Sequence, residues 1–335
     1  MNAVLGLDIG GANIKAAHMN GAAHTQAFAL WKQPQRLAAE LRSMRAAMPA
    51  HDRLAVTMTG ELCDCFASKC DGVLAILHSV EESAAGTAAD VWTTRGAFAA
   101  PAEVRQNPLP AAAANWLALA HFAGRFTEGE PALLIDTGST TTDVVFLDQG
   151  KPRPRALTDR ERLASGELVY TGIRRTPVCA VLGMGVAAEF FATMLDVYLW
   201  LELLPANTQD TDTADGRPAT RADAHVRLAR MLCADAGDVP LSDIENLARR
   251  ARETQLDFVR TAVDRVLAGR DQPRRVLLAG SGEVLGRGVQ ATHPRLHAAQ
   301  TISLTDRLGP ALSEAACAYA VAVLAAERWR APHDG

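Results

Sequence analysis

The sequence predicts an α/β fold of two domains, and two observations carry that prediction. The first is a duplicated phrase. Val4 to Leu7 and Ala132 to Ile135 are short apolar runs suited to buried strands. Each ends at an aspartate, Asp8 or Asp136, and continues through a glycine turn into a second run, in VLGLDIGGANIKAAH and ALLIDTGSTTTDVVFLDQG. The second is length, because 335 residues exceed what one hydrophobic core usually serves. The phrase restarts after the polar, glycine-bearing stretch 124–131, which places one domain at residues 1–127 and the other at 128–335. A final helix over 310–328 is expected to pack back on the first.

Along the first domain, residues 1–30 read as strand, hairpin and strand, 35–48 has helical spacing, and 53–59 is a strand that ends at Thr59, Gly60 and Glu61. The apolar run 72–77 reads as a further strand, and 107–122 as an alanine-rich helix. The second domain opens with strands through residue 150. A strand is expected around 177–182, a helix over 187–204, and helices over 224–236 and 242–268. RVLLAGSGEVLG, residues 275–286, is an apolar strand emptying into Gly280, Ser281 and Gly282 before a helix. Between these lies PANTQDTDTADGRPATRAD, residues 205–223, either a solvated loop or one that covers substrate. Its acids do not make a calcium loop: their spacing is wrong, and Arg221 stands where a bidentate glutamate is needed.

Composition narrows the function classes. Hydrophobic residues make up 48 % and aromatics 5 %, which suits a helix-rich soluble α/β protein. A net charge of −4 gives no basic footprint for nucleic acid. The longest uncharged apolar stretch, 315–326, is too short to span a bilayer, so no membrane role is expected. Asp8 lies inside the first apolar run, which therefore reads as a first strand and not a signal peptide. The expected compartment is the cytoplasm. The six cysteines lack paired zinc spacing, and Cys63, Cys65 and Cys70 with His78 read as reduced thiols before a metal cluster.

The duplicated hairpin points to phosphate. Gly10, Gly11 and Gly138 are expected to turn with positive φ and to let a phosphate approach without meeting a Cβ. The amides and hydroxyls of such turns, with Asn13, Ser139 and Thr140, form an anion nest. Asp8 and Asp136, at the strand ends, suit a hydrated Mg²⁺. Lys15 on the return strand is either a phosphate ligand or a surface lysine. Asp143 is either a further carboxylate near the metal or an outward strand residue. Arg174 and Arg175 could grip diphosphate oxygens or a carboxylate bidentately, or make a structural salt bridge.

These phrases resemble the actin, sugar-kinase and Hsp70 ATPase superfamily, whose duplicated ribonuclease H-like domains close over a nucleotide. ELVYTGIRRTPV, residues 167–178, resembles a phrase of the hydantoinase A and oxoprolinase family, whose much longer enzymes do not transfer their substrate to this chain. DIGGANIK, VTMTGELCDCF, DTGSTTTD, SGELVYTGIRRT, DTADG and RLARMLCAD are similar to a short branch tied to tetrahydromethanopterin-linked one-carbon transfer and methanofuran-core synthesis. That resemblance implies an aminomethyl-furan methyl diphosphate condensed with the phenol of a glutamyl-tyramine or tyrosine-type acceptor, releasing pyrophosphate. It implies Mg²⁺ as cofactor, small-molecule diphosphate and phenolic amine substrates, and a homodimer as an allowed state. It makes Glu61 a general base or else an exposed loop carboxylate. It also brings the loop of Gly280, Ser281 and Gly282 to an adenosine or another phosphate-linked group, and Asp212 and Asp215 to substrate. The competing readings are an ATP-dependent kinase of a small metabolite, the one case in which ATP is a cofactor, and a nucleotide-gated regulatory protein. Sugar kinases usually carry Asp or Gln near the position of Glu61, a departure that weakens the kinase.

Overall fold

The computed structural model of the chain describes residues 3–330. Its elements run β1 (Val4–Ile9), β2 (Asn13–His18), β3 (Ala23–Ala27), α1 (Leu37–Ala46), β4 (Arg53–Met58), α2 (Lys69–Ala84), β5 (Ala88–Trp92), β6 (Phe98–Ala99), α3 (Pro101–Gln106) and α4 (Asn115–Ala123). There follow β7 (Ala132–Thr137), β8 (Thr142–Asp148), β9 (Lys151–Pro152), α5 (Asp159–Ser165), β10 (Leu168–Val169), α6 (Val178–Leu182), α7 (Met194–Trp200), α8 (Arg221–Met231) and α9 (Leu241–Leu267). The chain ends through β11 (Arg275–Ala279), α10 (Glu283–Thr292), β12 (Gln300–Ser303), α11 (Leu304–Leu308), α12 (Pro310–Glu314) and α13 (Ala316–Arg330).

Two compact units result. One comprises Met1–Ala132, Phe146–Glu161 and Ile302–Gly335, the other Leu133–Val145 and Arg162–Thr301. Besides the final segment, Phe146–Glu161 also belongs to the first unit, within the stretch 128–335 that the sequence reads as the second domain. Each unit holds most of one sheet. The first sheet has the order β3-β2-β1-β4-β5-β6, and the second the order β10-β8-β7-β11-β12, with β9 on β8. The duplication read in the hairpins thus extends to whole sheets. β7 and β8 stand where β1 and β2 stand, and β11 takes the place of β4.

In the first sheet β1 pairs antiparallel with β2 and parallel with β4. Its strands alternate between two covered faces. Leu5, Leu7 and Ile9 belong to a buried apolar cluster with Leu41, Val56, Ile76 and Val80. On the opposite face Gly6 admits α13: a Cβ there would sit far inside contact distance of the Ala318 carbonyl and 3.0 Å from the Ala322 amide nitrogen. Among the described residues no helix is long and apolar enough to cross a membrane.

Four local expectations change. Residues 72–77 lie in α2 and not in a strand. Val73, Ile76, Leu77 and Val80 are buried at helical spacing, and the Ser68 hydroxyl caps the helix by accepting from the Asp71 amide at 3.2 Å. Val178–Leu182 form the short helix α6, entered from Pro177, with the isolated bridge Pro177–Thr193 as the β-structure there. The helix expected over 187–204 is confined to α7, where Thr193 and Asp196 close a capping box. The helix expected over 107–122 starts only at Asn115, after a 3-10 turn at Leu109–Ala111.

Candidate active site

Both hairpins are closed in the same way. The Gly10 amide donates to the Asn13 carbonyl at 2.9 Å, and the Gly138 amide to the Thr141 carbonyl at 2.9 Å. The carbonyls behind each turn are bound by a supporting segment. Gly11 and Ala12 accept from Leu30 and Phe28, while Gly138 and Ser139 accept from Ile173, Arg174 and Arg175. With carbonyls turned back, the amides of Gly11, Ala12, Ser139 and Thr140 meet no acceptor among the described residues, which is the arrangement of an anion nest. Gly10, Gly11 and Gly138 do not have the positive φ expected of them. The need at Gly11 is close packing, since a Cβ there would lie 2.8 Å from Cys63 Sγ. Asn13 opens β2, half-buried, and supplies the carbonyl that closes its turn.

The strand next to each hairpin ends in a turn docked on it. The Thr59 and Gly60 amides donate to the Ile9 carbonyl at 2.9 and 3.0 Å, and Gly282 donates to the Thr137 carbonyl at 2.9 Å. Gly280 adopts φ +83°, and a Cβ there would meet Asp136 Oδ1 at 2.6 Å, so only glycine brings this loop against the second aspartate. Ser281 is exposed and Gly282 buried at the start of α10.

In the first unit this turn carries Glu61. It is 1 % exposed, which removes the exposed-loop alternative. Neither carboxylate oxygen has a hydrogen-bond partner, and the nearest cation is Lys69 Nζ at 3.9 Å, itself 3.2 Å from Asp159. Burial pushes the Glu61 carboxyl up to about 7. Asp159 adds to this, while Lys69 and the amides of Glu61 and Ala113, which approach without ordinary hydrogen-bond geometry, oppose it only in part. Ala113 holds φ +45°, rare for a residue with a Cβ, beside the bridge from Ala112 to Met58. Gly72 makes room for the turn in α2: a Cβ there would lie 2.7 Å from Glu61 Cα.

Asp8 is buried at the end of β1, with Oδ1 unpartnered. Burial pushes its carboxyl up to about 6 against the pull of Lys15. Lys15 stands opposite it in the antiparallel register, but its ammonium donates to the Glu314 carbonyl at 2.7 Å. A divalent cation would satisfy the orphaned oxygen of Asp8 and the charge that burial disfavours, so this position fits Mg²⁺. Among the described residues no three His, Cys, Asp or Glu side chains gather into a metal cluster.

In the second unit Arg174 takes the salt-bridge alternative. Gly172 presses on the hairpin, where a Cβ would lie 2.5 Å from the Thr140 nitrogen. Its segment is fixed by Gln255, which donates to Thr171 Oγ1 at 2.9 Å and the Gly172 carbonyl at 3.0 Å while accepting from Tyr198 at 3.1 Å. The Arg174 guanidinium is engaged bidentately by Asp210, at 2.6 and 3.1 Å, and by the Asp212 carbonyl at 3.1 Å. Arg175 is exposed. Asp212 keeps an exposed side chain, but Asp215 accepts from buried Arg227 at 2.9 Å. Partial burial pushes Asp215 up, yet the Arg217 amide and the Arg227 guanidinium outweigh it and hold the carboxyl below its usual range. Asp143 is not an outward strand residue: it is buried and pairs with buried Arg162 at 2.7 Å. Sequence reasoning missed Asp210, Arg162 and Arg227, although Arg227 opens the phrase RLARMLCAD that it singled out.

A family model described as Hydantoinase/oxoprolinase matches residues 52–329. The chain belongs to that family. This hydantoinase/oxoprolinase family member is 31 % identical over 332 residues to the (4-{4-[2-(gamma-L-glutamylamino)ethyl]phenoxymethyl}furan-2-yl)methanamine synthase of Methanocaldococcus jannaschii, covering 96 % of this chain and 97 % of that one. A synthase of the same name from Methanococcus vannielii is 28 % identical over 200 residues, 57 % of this chain and 89 % of that one. Both relatives are named as synthases, which supports a biosynthetic role for the family member. Among solved structures, nucleotide-free acetone carboxylase aligns with a TM-score of 0.53 and 10 % identity over 96 % of this chain and 70 % of that one. At that identity the likeness is one of fold, the two-domain actin, sugar-kinase and Hsp70 ATPase architecture.

Proposed function

We propose that this protein is a transferase of methanofuran-type cofactor biosynthesis. It joins an aminomethyl-furan methyl diphosphate to the phenol oxygen of a glutamyl-tyramine or tyrosine-type acceptor and releases pyrophosphate, with the cytoplasm as its compartment. The relatives' product name contains a phenoxymethyl link, an ether between a phenol oxygen and a furan-bound CH₂. Making that link requires a phenol to lose its proton and a leaving group to depart from the CH₂. The observation that carries the reading is Glu61: a buried carboxylate without hydrogen bonds, poised at about 7, on the turn docked against a phosphate hairpin.

In this reading Glu61 takes the phenol proton, the phenol oxygen forms the new C–O bond, and the CH₂–O bond to diphosphate breaks with its electron pair leaving on pyrophosphate. In each hairpin by itself the free amides, those of Gly11 and Ala12 in one and of Ser139 and Thr140 in the other, suit charge on phosphate oxygens. Asp8 and Asp136 are the carboxylates proposed to organise Mg²⁺, which when bound neutralises diphosphate charge. Lys15 and Arg174 fall outside the phosphate contacts of this proposal because protein groups occupy them.

The test is to supply purified protein with the furan diphosphate, a phenolic acceptor and Mg²⁺, with and without ATP. Ether and pyrophosphate are expected in equal amounts in both. Stoichiometric ADP accompanying product would instead make the protein a kinase.

A further inference from the structure

Buried polar atoms without partners gather at the ends of β1 and β4: Asp8 Oδ1, Thr57 Oγ1 and both oxygens of Glu61. Thr57 is the one for which the proposed reaction has no use. Its side chain is fully buried in a strand where valine would fill the same volume, and a buried hydroxyl without a hydrogen bond lowers stability. In the parallel register Thr57 is the direct partner of Asp8, so the two side chains leave the same face of the sheet side by side. The neighbour on the other side of Asp8 is Lys15, whose ammonium is committed to Glu314. The row across the sheet therefore offers an unclaimed carboxylate oxygen and an unclaimed hydroxyl next to each other, with the free Gly11 amide of the hairpin three positions after Asp8.

A hydrated magnesium ion keeps several waters, and each needs acceptors for its protons. We propose that Thr57 is a positioning residue for the cation of Asp8, its hydroxyl sharing with Asp8 Oδ1 the hydrogen bonds of that ion's water shell. This rests on the assignment of Asp8 to Mg²⁺ in the proposed function. It adds a residue whose role is to orient hydration and not to ligate, and it explains why a strand position next to Asp8 carries a hydroxyl.

The probe is inorganic pyrophosphate titrated calorimetrically with and without Mg²⁺ into the full chain, for the parent protein, Thr57→Val and Thr57→Ser. Thr57→Val is expected to weaken Mg²⁺-dependent pyrophosphate binding about tenfold, while Thr57→Ser stays within about threefold. Without ligand, Thr57→Val is expected to melt at the same temperature as the parent or higher, because it deletes an unpartnered buried hydroxyl. Parent-like affinity in Thr57→Val overturns the inference and leaves the proposed function standing. So does a lower melting point or failure to fold in Thr57→Val, which would mean that the hydroxyl serves the fold. Absence of Mg²⁺-dependent binding in the parent overturns the phosphate reading and this inference with it.

Discussion

Asp8 and Glu61 are carboxyl groups that folding holds away from water without supplying the hydrogen bonds a carboxylate wants. Both have raised pKa values, Asp8 from 3.8 to about 6 and Glu61 from 4.5 to about 7. A raised carboxyl pKa means that the folded state favours the proton. Its stabilising contribution is therefore full below the unfolded value and disappears as pH rises through the folded value. In the ligand-free protein Asp8→Asn should accordingly match the parent near pH 4 and exceed it in stability above pH 6. A gap of about two units sets the gain at roughly 3 kcal/mol at most, read by denaturant unfolding across that range. Turnover should move the other way, falling by about two orders of magnitude or more. Glu61→Gln should lower turnover by roughly 10²- to 10⁴-fold at neutral pH with little change in substrate affinity. The parent rate should climb through pH 7 as Glu61 ionises, and the variant should lack that step. Its deficit should shrink at high pH, because a phenol with pKa near 10 then ionises unaided. Parent-like turnover of Glu61→Gln at pH 7, with chemistry rate-limiting, would assign proton removal elsewhere.

At the scale of elements, the turns docked on the hairpins are placed by glycines and arginines in neighbouring segments. Gly72 lets α2 lie against Glu61, so Gly72→Ala should destabilise the protein by about 1–3 kcal/mol and displace the pH step that Glu61 produces. A variant that unfolds more easily while keeping the parent's pH profile would separate α2 packing from the position of Glu61. In the second unit Arg227 joins Asp196, at the start of α7, to Asp215 in the 205–223 loop, at 2.7 and 2.9 Å. Arg227→Met leaves Asp196 buried and without its guanidinium, and should cost about 3–5 kcal/mol by chemical denaturation. The hairpins were legible in the sequence because their chemistry is local: aspartate, glycines and return strand lie within about a dozen residues. Arg174 was not, since its partner Asp210 is 36 positions away. Thr57 was hidden because threonine is an ordinary strand residue, and its meaning comes from β1 across the sheet. The 72–77 run was misread because its apolar residues, taken alone, are too few to separate a buried strand from a helix.

At the scale of the molecule, the sheets repeat one order of strands, but only the first unit is finished by the last helix of the chain. α13 lies on β1 over Gly6, and Gly6→Ala would push a methyl group into the Ala318 carbonyl. Hydrogen exchange should then quicken in β1 and α13, while α9, in the other unit, keeps its protection. Uniform quickening in α9 as well would show that the chain opens as one cooperative body. The two-unit architecture was legible from the repeated phrase, but its seams were not. Contacts such as Gly6 with Ala318 or Gly124 with Gly150 leave no trace within either stretch of sequence. The position of α13 also bears on how the protein is made. β1 leaves the ribosome roughly 300 residues before the helix that covers one of its faces, some 15–60 s at ordinary elongation rates. Throughout that interval the nascent first sheet carries an uncovered apolar side, whereas Leu133–Val145 and Arg162–Thr301 are complete before the final helix emerges. Synthesis order thus completes the second unit before β1 of the first gains its covering helix.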